Sequence, residues 1–214
     1  REPGYTRFDR RVLYNAYDIT AFLNAGNNAV GAILGTGFLN PHVRAVWDFD
    51  RAPWRQSPRL LLELRITYKD GTTERVVSDN QWHTAPSPIT FDGIHGGEFY
   101  DARLEKPGWS TASYDDTGWE TVKTLPEPGG ILKSAQMPPV KITQTRRPAK
   151  ISQPKPGIYL LDMGQNMAGN ALLTVQGAAG TQVKLEYGER LNPDGTLNVD
   201  NIGGFVKNTD KTQP

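Results

Sequence analysis

Alternation of apolar and polar residues between Arg59 and Ser78 is the feature that most constrains the fold. Apolar side chains occupy every second position from Leu60 to Tyr68, mostly with charged or polar residues between them. A period of two residues is typical of a β-strand with one half-buried face. Asp70-Gly71 follows directly and a second apolar segment lies beyond it. The segment therefore predicts a β-hairpin with a type I′ turn.

Three further strands are predicted at 158–163, 171–176 and 182–187. The last of them alternates apolar side chains with Lys184 and Glu186. The chain holds 22 Gly and 16 Pro residues, which favours short strands joined by turns over long helices. No strand–helix–strand rhythm is present. The sequence therefore predicts an all-β fold.

Prolines cluster between Leu125 and Gly157 and divide two strand-rich blocks. They are Pro126, Pro128, Pro138, Pro139, Pro148, Pro154 and Pro156. A domain boundary is expected in such a stretch, and we place it after Gly130. This divides the chain into an amino-terminal β-sandwich over 1–130 and a second, partial β-sandwich over 131–214.

Charge and cysteine content narrow the classes of function. The formal net charge is +1, whereas a nucleic-acid or membrane-surface binder needs a clustered basic excess. We therefore expect neither a nucleic acid nor a membrane as partner. The absence of Cys excludes disulfides and a thiolate nucleophile but leaves the compartment open. The chain begins at Arg1 without a signal-peptide pattern, and we interpret it as a piece of a longer protein.

No catalytic or metal-binding motif stands out. A phosphate-binding loop needs a Lys-Ser/Thr pair and a helix after its glycines, and neither follows Gly31, Gly35 and Gly37. We therefore interpret these glycines as positions where strands pack closely or the chain turns. No Gly-x-Ser-x-Gly motif is present. The three histidines occur singly, without the spacing of a metal-ligand pair. The sequence assigns no catalytic residue and leaves the metal unknown.

Aromatic and acidic residues lie close together in the segment that ends at Arg55. Trp faces stack on the C–H surfaces of sugars, while Asp and Arg side chains bind hydroxyl groups. Trp47, Asp48, Asp50 and Trp54 are therefore candidate carbohydrate-binding residues. Trp is also common in protein cores, so packing is the alternative interpretation of both Trp residues.

A second candidate segment runs from Asp92 to Arg103 and combines carboxylates, two aromatic residues and one Arg. Its candidate carbohydrate-binding residues are Glu98, Asp101 and Arg103. The alternative is an irregular loop that Arg103 braces by binding a neighbouring carboxylate. Paired carboxylates also serve as acid and base in glycosidases, but nothing in the sequence marks two of them as facing each other across a cleft.

Several segments together resemble bacterial α-L-rhamnosidases. Six resemble their amino-terminal β-sandwich: Tyr14-Asn-Ala-Tyr17-Asp18-Ile-Thr20, Gly26-Asn-Asn28-Ala-Val, Leu34-Gly35-Thr-Gly37-Phe38, Gly97-Glu98-Phe-Tyr100-Asp101-Ala-Arg103, Pro107-Gly108-Trp109 and Asp115-Asp116-Thr-Gly-Trp119. Two resemble the next domain: Asp162-Met-Gly164-Gln165-Asn166-Met-Ala-Gly169, and Gly188-Glu189-Arg190-Leu191 with Asp194-Gly195. Because the segments occur in order, the resemblance is more specific than any single motif. Thr36-Gly37-Phe38-Leu39 departs from the family's Asn or Asp before the Gly and its aromatic residue after it.

The resemblance implies two β-sandwiches of the jelly-roll, galactose-binding-like type, with 1–130 as a carbohydrate-binding-module-like domain. It also implies a bacterial, periplasmic or secreted hydrolase that removes terminal α-L-rhamnose with inversion. The acid and base of such an enzyme lie on a later α/α barrel, which this sequence lacks, so no catalytic residue is carried over. The implied partners are a rhamnose-containing glycan and the catalytic barrel of the same chain. The resemblance implies no certain cofactor; calcium is the candidate, because a related sandwich in family members can bind rhamnose with calcium.

Two hypotheses of different class remain. The first is the non-catalytic amino-terminal region of an α-L-rhamnosidase, and the second is a stand-alone carbohydrate-binding module. An open reading frame that continues past Pro214 into a long helix-patterned region favours the first, whereas a stop codon there favours the second.

Overall fold

The computed structural model describes residues 3–41 and 47–203, and these form two units, 3–137 and 138–203. The strands of the first unit are β1 (Arg11–Tyr14), β2 (Glu63–Thr67), β3 (Thr73–Val77), β4 (His83–Thr84), β5 (Ile89–Gly93), β6 (Gly97–Tyr100), β7 (Glu120–Thr121) and β8 (Ile131–Ser134). Its 3₁₀ helices are Thr20–Phe22, Phe49–Arg51 and Ala102–Leu104. The second unit contains β9 (Lys150–Lys155), β10 (Ile158–Asp162), β11 (Arg190–Leu191), β12 (Leu197–Asn198) and the short helix α1 (Asp200–Gly203).

All the described strands pair two by two. In the first unit β1 pairs with β8 in parallel, while β2–β3, β4–β7 and β5–β6 are antiparallel. In the second unit β9–β10 and β11–β12 are antiparallel. The all-β prediction is confirmed. In the described part of the chain, no helix is long and apolar enough to cross a membrane.

The boundary between the units follows from the pairing of β1 with β8. Residues 131–134 hydrogen-bond to Arg11–Tyr14 and so belong to the first unit. The structural division therefore falls after Met137, whereas the sequence placed it after Gly130. Gly130 lies where the pairing begins, and a Cβ there would collide with the Phe8 carbonyl oxygen and lie 2.6 Å from Arg11 N. Only glycine allows this close approach.

The β2–β3 hairpin forms as the alternation predicts. Leu62, Leu64 and Ile66 are half-buried, and the side chains between them are exposed. The strands pair in register from Glu63 opposite Val77 to Thr67 opposite Thr73. Apolar residues on one face and polar residues on the other fix this register, because a shift by one residue would turn every side chain over.

The turn of this hairpin differs from the predicted type I′ turn. That type needs positive φ at both central residues, but among the described residues Asp48 is the only non-glycine with positive φ. Gly71 has φ +85°, and its N–H donates to the Tyr68 carbonyl at 3.0 Å. The loop is thus a type I turn followed by a left-handed glycine. Asp70 stabilises it, since its Oδ1 accepts from N and Oγ1 of Thr72 at 2.9 and 2.6 Å.

The β11–β12 hairpin repeats this turn in the second unit. The Gly195 N–H donates to the Asn192 carbonyl at 2.9 Å, and Gly195 has φ +78°. Asp194 Oδ1 accepts from N and Oγ1 of Thr196 at 3.1 and 2.6 Å. Lys155 Nζ also reaches Asp194 Oδ2 at 2.9 Å. The Asp-Gly-Thr sequence therefore builds one turn in two places.

Of the three strands predicted in the second unit, one forms a ladder. The prediction at 158–163 is confirmed by β10, which pairs with β9. The predictions at 171–176 and 182–187 are wrong as ladder strands, because the structure assigns them no strand. A turn does form between them, with Thr181 N–H donating to the Ala178 carbonyl at 3.0 Å. The alternation defines a face, but a ladder also needs a partner strand, and none pairs there among the described residues.

Candidate functional site

An aromatic cluster occupies the part of the first unit that holds the first candidate segment. Its members are Tyr5, Phe8, Phe38, Trp47, Phe49 and Trp54. Phe49 is central: its ring centroid lies 5.7 Å from Phe38, 5.7 Å from Trp47 and 6.4 Å from Trp54. Tyr5 extends the cluster, at 4.3 Å from Phe38. Edge-to-face and offset contacts of this kind stabilise the segment beyond their buried area.

The two candidate Trp residues play different parts in the cluster. Trp54 is half-buried, and its Nε1–H donates to the Phe38 carbonyl at 3.2 Å. Packing therefore accounts for Trp54. Trp47 is 59% exposed, stacks on Phe49 at an interplanar angle of 29°, and lies 6.3 Å from the His95 ring. Trp47 thus presents an aromatic surface to solvent at the edge of the cluster.

The two candidate carboxylates of this segment flank Phe49. Asp48 has φ +49° and directly precedes the 3₁₀ helix Phe49–Arg51. Asp50 Oδ1 is shielded from solvent and has no hydrogen-bond partner among the described residues. Its backbone carbonyl is satisfied, because Arg55 Nη1 donates to it at 3.2 Å. A shielded carboxylate oxygen without a donor is energetically costly, and a hydroxyl group from solution would reach it only after the Asp50 side chain turned outward.

The second candidate segment folds as a hairpin and a short helix, so the expectation of an irregular loop is wrong for most of it. Glu98 lies on β6, opposite Asp92 on β5, and is exposed. Alternation is weak here, which is why the sequence did not reveal the strands. The turn between these strands carries His95 and so brings the hairpin next to Trp47.

Asp101 and Arg103 bind each other. Asp101 Oδ1 accepts from Arg103 N at 3.0 Å and from Nε at 2.8 Å, and Oδ2 accepts from Nη2 at 2.6 Å. The hydrogen bonds from the Arg103 side chain lower the pKa of Asp101 to about 2. The predicted Arg-to-carboxylate brace is therefore present, and it uses the charges that the sugar-binding interpretation would need.

One contact near the candidate site is not apparent from the sequence. The Asp92 carboxylate accepts from Thr36 N at 2.9 Å and from Thr36 Oγ1 at 3.0 Å. A Cβ on Gly35 would lie 3.1 Å from Asp92 Oδ2, so the glycine lets the loop approach. These contacts hold the loop that precedes Phe38 against β5. The pair of glycines around Thr36 is the signal that could have indicated it.

Clusters of His, Asp and Glu side chains that could hold a metal ion are absent from the described residues. Among 3–41 and 47–203, no three His, Asp or Glu side chains are placed to hold a metal ion. Asp92 and Asp101 already bind Thr36 and Arg103. His42, one of the three histidines, lies outside the described residues.

Two models of known protein families match this chain. Residues 2–144 match the model of the α-L-rhamnosidase N-terminal domain, and residues 152–213 match that of the bacterial α-L-rhamnosidase concanavalin-like domain. The chain belongs to the α-L-rhamnosidase family. Its two units are thus the β-sandwich types of that family, as the sequence predicted.

Individual members of the family are similar in sequence to most of this chain. An α-L-rhamnosidase of Streptomyces avermitilis is 38% identical over 94% of this chain and 19% of its own length. One from Formosa agariphila is 36% identical over 91% and 21%. This chain therefore spans about a fifth of the length of the relatives that it matches.

Solved structures of α-L-rhamnosidases are also similar to this chain. The crystal structure of the Streptomyces avermitilis α-L-rhamnosidase complexed with L-rhamnose has a TM-score of 0.82 at 34% identity, over 92% of this chain and 19% of that one. The α-L-rhamnosidase from Dictyoglumus thermophilum has a TM-score of 0.70 at 29% identity, over 92% and 21%.

Proposed function

We propose that this chain is the non-catalytic amino-terminal region of an α-L-rhamnosidase that hydrolyses terminal α-L-rhamnosyl residues of glycans or glycosides. The observation that carries the proposal is the succession of the two family matches, 2–144 and 152–213, within about a fifth of each relative's length. In this proposal the region stabilises and orients a catalytic barrel in the same polypeptide. In the same proposal the parent enzyme is periplasmic or secreted.

The proposal predicts where activity resides. An inverting glycosidase needs two carboxylates roughly 6.5–9.5 Å apart on either side of the scissile bond. Within the candidate segments Asp101 is bound by Arg103, and Asp92 by Thr36. The 214-residue chain should therefore not hydrolyse a chromogenic α-L-rhamnoside, whereas the full-length gene product should. Turnover by the repurified 214-residue chain above a no-protein control would overturn the proposal.

A stand-alone carbohydrate-binding module is the second candidate, and the exposed face of Trp47 favours it. We propose a weak site for a rhamnose-containing glycan in which Trp47 stacks on the sugar and the Asp50 side chain turns outward to accept from a hydroxyl group. Asp48 adjoins both residues along the chain. Trp54 packs against Phe49 in the same cluster, and the β5–β6 hairpin, which carries Glu98, places His95 beside Trp47. A shallow site makes few contacts and must dehydrate hydroxyl groups, so we expect a dissociation constant of about 1 mM.

Titration of L-rhamnose tests this site. The tryptophan fluorescence should change over the millimolar range, and Trp47→Ala should abolish the change. Phe22→Ala is a matched control, because Phe22 is also an exposed aromatic residue, at 79%, and lies outside the cluster. Titrations with and without calcium show whether the metal contributes. No response up to tens of millimolar in either condition would leave packing as the role of this segment.

A further inference from the structure

One segment of the second unit is strongly basic, although the whole chain has a formal net charge of only +1. Residues 138–161 contain no Asp or Glu but five cationic side chains, which are Lys141, Arg146, Arg147, Lys150 and Lys155. The charge balance of the chain therefore hides a local excess of positive charge. Such an excess produces a positive potential that attracts anions.

Two of the five cations have a carboxylate of their own unit beside them. Lys155 Nζ lies 2.9 Å from Asp194 Oδ2, and this ion pair neutralises its charge. Lys150 lies opposite Asp162 in the β9–β10 ladder, where residues of opposite charge are favourable neighbours. Neither lysine therefore needs an external anion.

The other three cations lie in a stretch without regular structure. Residues 138–149 form no strand or helix, and Lys141, Arg146 and Arg147 are exposed. None of the three forms an ion pair with a described residue. Gln144 Oε1 accepts from Arg146 Nε at 3.0 Å, which orients the guanidinium and leaves its two Nη groups to bind a ligand. A guanidinium binds a carboxylate through two parallel hydrogen bonds.

We propose that Lys141, Arg146 and Arg147 bind an acidic glycan through its carboxylate or sulfate groups. Thr143 and Thr145 lie between these cations and are exposed, so their hydroxyl groups can exchange hydrogen bonds with the sugar. This inference rests on the proposed function and narrows it, since it places the rhamnose-containing glycan in the anionic class.

The composition of the segment favours a glycan over other polyanions. Binders of single-stranded nucleic acid stack bases on aromatic side chains, and residues 138–158 contain no Phe, Tyr or Trp. Duplex readers insert a helix or a β-ribbon into a groove, and membrane-surface binding uses an amphipathic helix. Residues 138–149 form neither element and include three prolines. Recognition here depends on charge and hydroxyl contacts, which an acidic glycan supplies.

Binding to defined polymers tests the site. Fluorescence anisotropy should show that the 214-residue chain and the full-length gene product bind labelled oligogalacturonate or labelled dextran sulfate but not neutral dextran. The two acidic polymers distinguish carboxylate from sulfate recognition. Binding should weaken as the salt concentration rises, because salt screens exposed charges.

Charge-neutralising variants locate the binding. Arg146→Gln and Arg147→Gln should each weaken binding of the acidic polymer by about threefold, and the double variant by about tenfold. Lys155→Gln is the matched control, since it removes one positive charge from the same basic run, but a charge that Asp194 already pairs. Its affinity for the acidic polymer should be nearly unchanged.

Four results would overturn the proposal. They are equal binding of neutral dextran, equal losses in Lys155→Gln and Arg147→Gln, and binding of an oligonucleotide or of phosphatidylserine vesicles as tight as that of the acidic polymer at the same salt. The fourth is binding by the 214-residue chain but not by the full-length product, which would show that the rest of the polypeptide covers the segment. A full-length enzyme that hydrolyses a neutral rhamnoside but binds no acidic polymer would refute this inference and leave the proposed function standing.

Discussion

The two units differ in how far along the sequence their paired strands lie. In the first unit β1 pairs with β8 from the opposite end of the unit, and β4 pairs with β7 across the intervening segment 85–119. In the second unit each ladder joins strands that follow each other along the chain, β9 with β10 and β11 with β12. Local rules therefore form hairpins in both units, but pairing between distant segments is described only in the first.

The Asp-Gly-Thr turn occurs in both units, in hairpins of different length. Asp70-Gly71-Thr72 and Asp194-Gly195-Thr196 adopt the same hydrogen-bonded turn. The first joins strands of five residues, and the second joins strands of two. Turn chemistry thus sets where a hairpin forms, whereas the flanking side chains decide how far its ladder continues.

The largest expected effect is on the closure of the first unit. Gly130→Ala should lower its free energy of unfolding by about 3 kcal/mol, because a Cβ would collide with the Phe8 carbonyl where β8 joins β1. Gly118→Ala is the matched control, since no atom lies within 4 Å of its Cβ position. Denaturant unfolding of both variants measures the difference, and equal midpoints would show that the β1–β8 closure adds little.

Limited proteolysis compares the two units directly. Local ladders open at a lower free energy than a closed sheet, so the first cuts should fall in the strand-free segment between Pro138 and Ala149 or beyond Asn192. A difference in opening free energy of about 1.4 kcal/mol corresponds to about tenfold in cutting rate. Mass spectrometry of the first fragments identifies the sites. A first cut between Arg59 and Ser78 would reverse the expected order of stability.

The two turns allow a matched substitution. Gly71→Ala and Gly195→Ala each place a side chain at positive φ, which costs about 1–2 kcal/mol, and neither Cβ meets an atom closer than 4.0 Å. Unfolding monitored by amide signals should show loss of β2–β3 in the first variant and of β11–β12 in the second. If Gly71→Ala also released the second hairpin, the two units would unfold together rather than separately.

The smallest expected effect is on the pKa values of the two turn aspartates, Asp70 and Asp194. The Thr196 hydroxyl, and then Lys155, hold the pKa of Asp194 far below its usual value, while hydrogen bonds from Thr72, and less so from the Asp70 backbone, lower the pKa of Asp70 without an ion pair. A lowered folded-state pKa stabilises the fold above the unfolded value of about 3.9, and this stabilisation disappears as pH falls through the folded value.

Lys155→Gln should raise the pKa of Asp194 part of the way and leave that of Asp70 unchanged. Thr196→Val should raise the pKa of Asp194 further, because the hydroxyl is its larger contributor. Carboxyl carbon NMR titration of both residues measures these shifts. An unchanged Asp194 pKa after Lys155→Gln would mean that the ion pair does not form in solution.

Features that depend on neighbouring residues could be predicted from the sequence. The β2–β3 hairpin follows from alternation, and the Asp101–Arg103 pair joins residues two positions apart. The predicted type I′ turn of the β2–β3 hairpin is wrong, because Asp-Gly suits both a two-residue type I′ loop and a longer loop with a left-handed glycine. The hydrogen bonds from Thr72 to Asp70 select the longer loop.

Features that depend on distant residues could not be predicted. Thr36 and Asp92 are 56 positions apart, and nothing in either local pattern names the other. The approach of Trp47 to His95 is of the same kind. Likewise, alternation at 182–187 indicated a strand but not whether a partner strand pairs with it. A sequence period reports which way side chains point, not what they meet.

The pairing of β1 with β8 places the entrance and the exit of the first unit on adjacent strands. In a parallel pair of four residues, Arg11 and Ser134 lie at opposite ends, separated by about 10–15 Å. A linker of only four or five residues spans that gap. The unit therefore meets the geometric requirement for circular permutation. It also meets the requirement for insertion into a surface loop of a host protein, because the two insertion points in the host would be little more than one strand length apart.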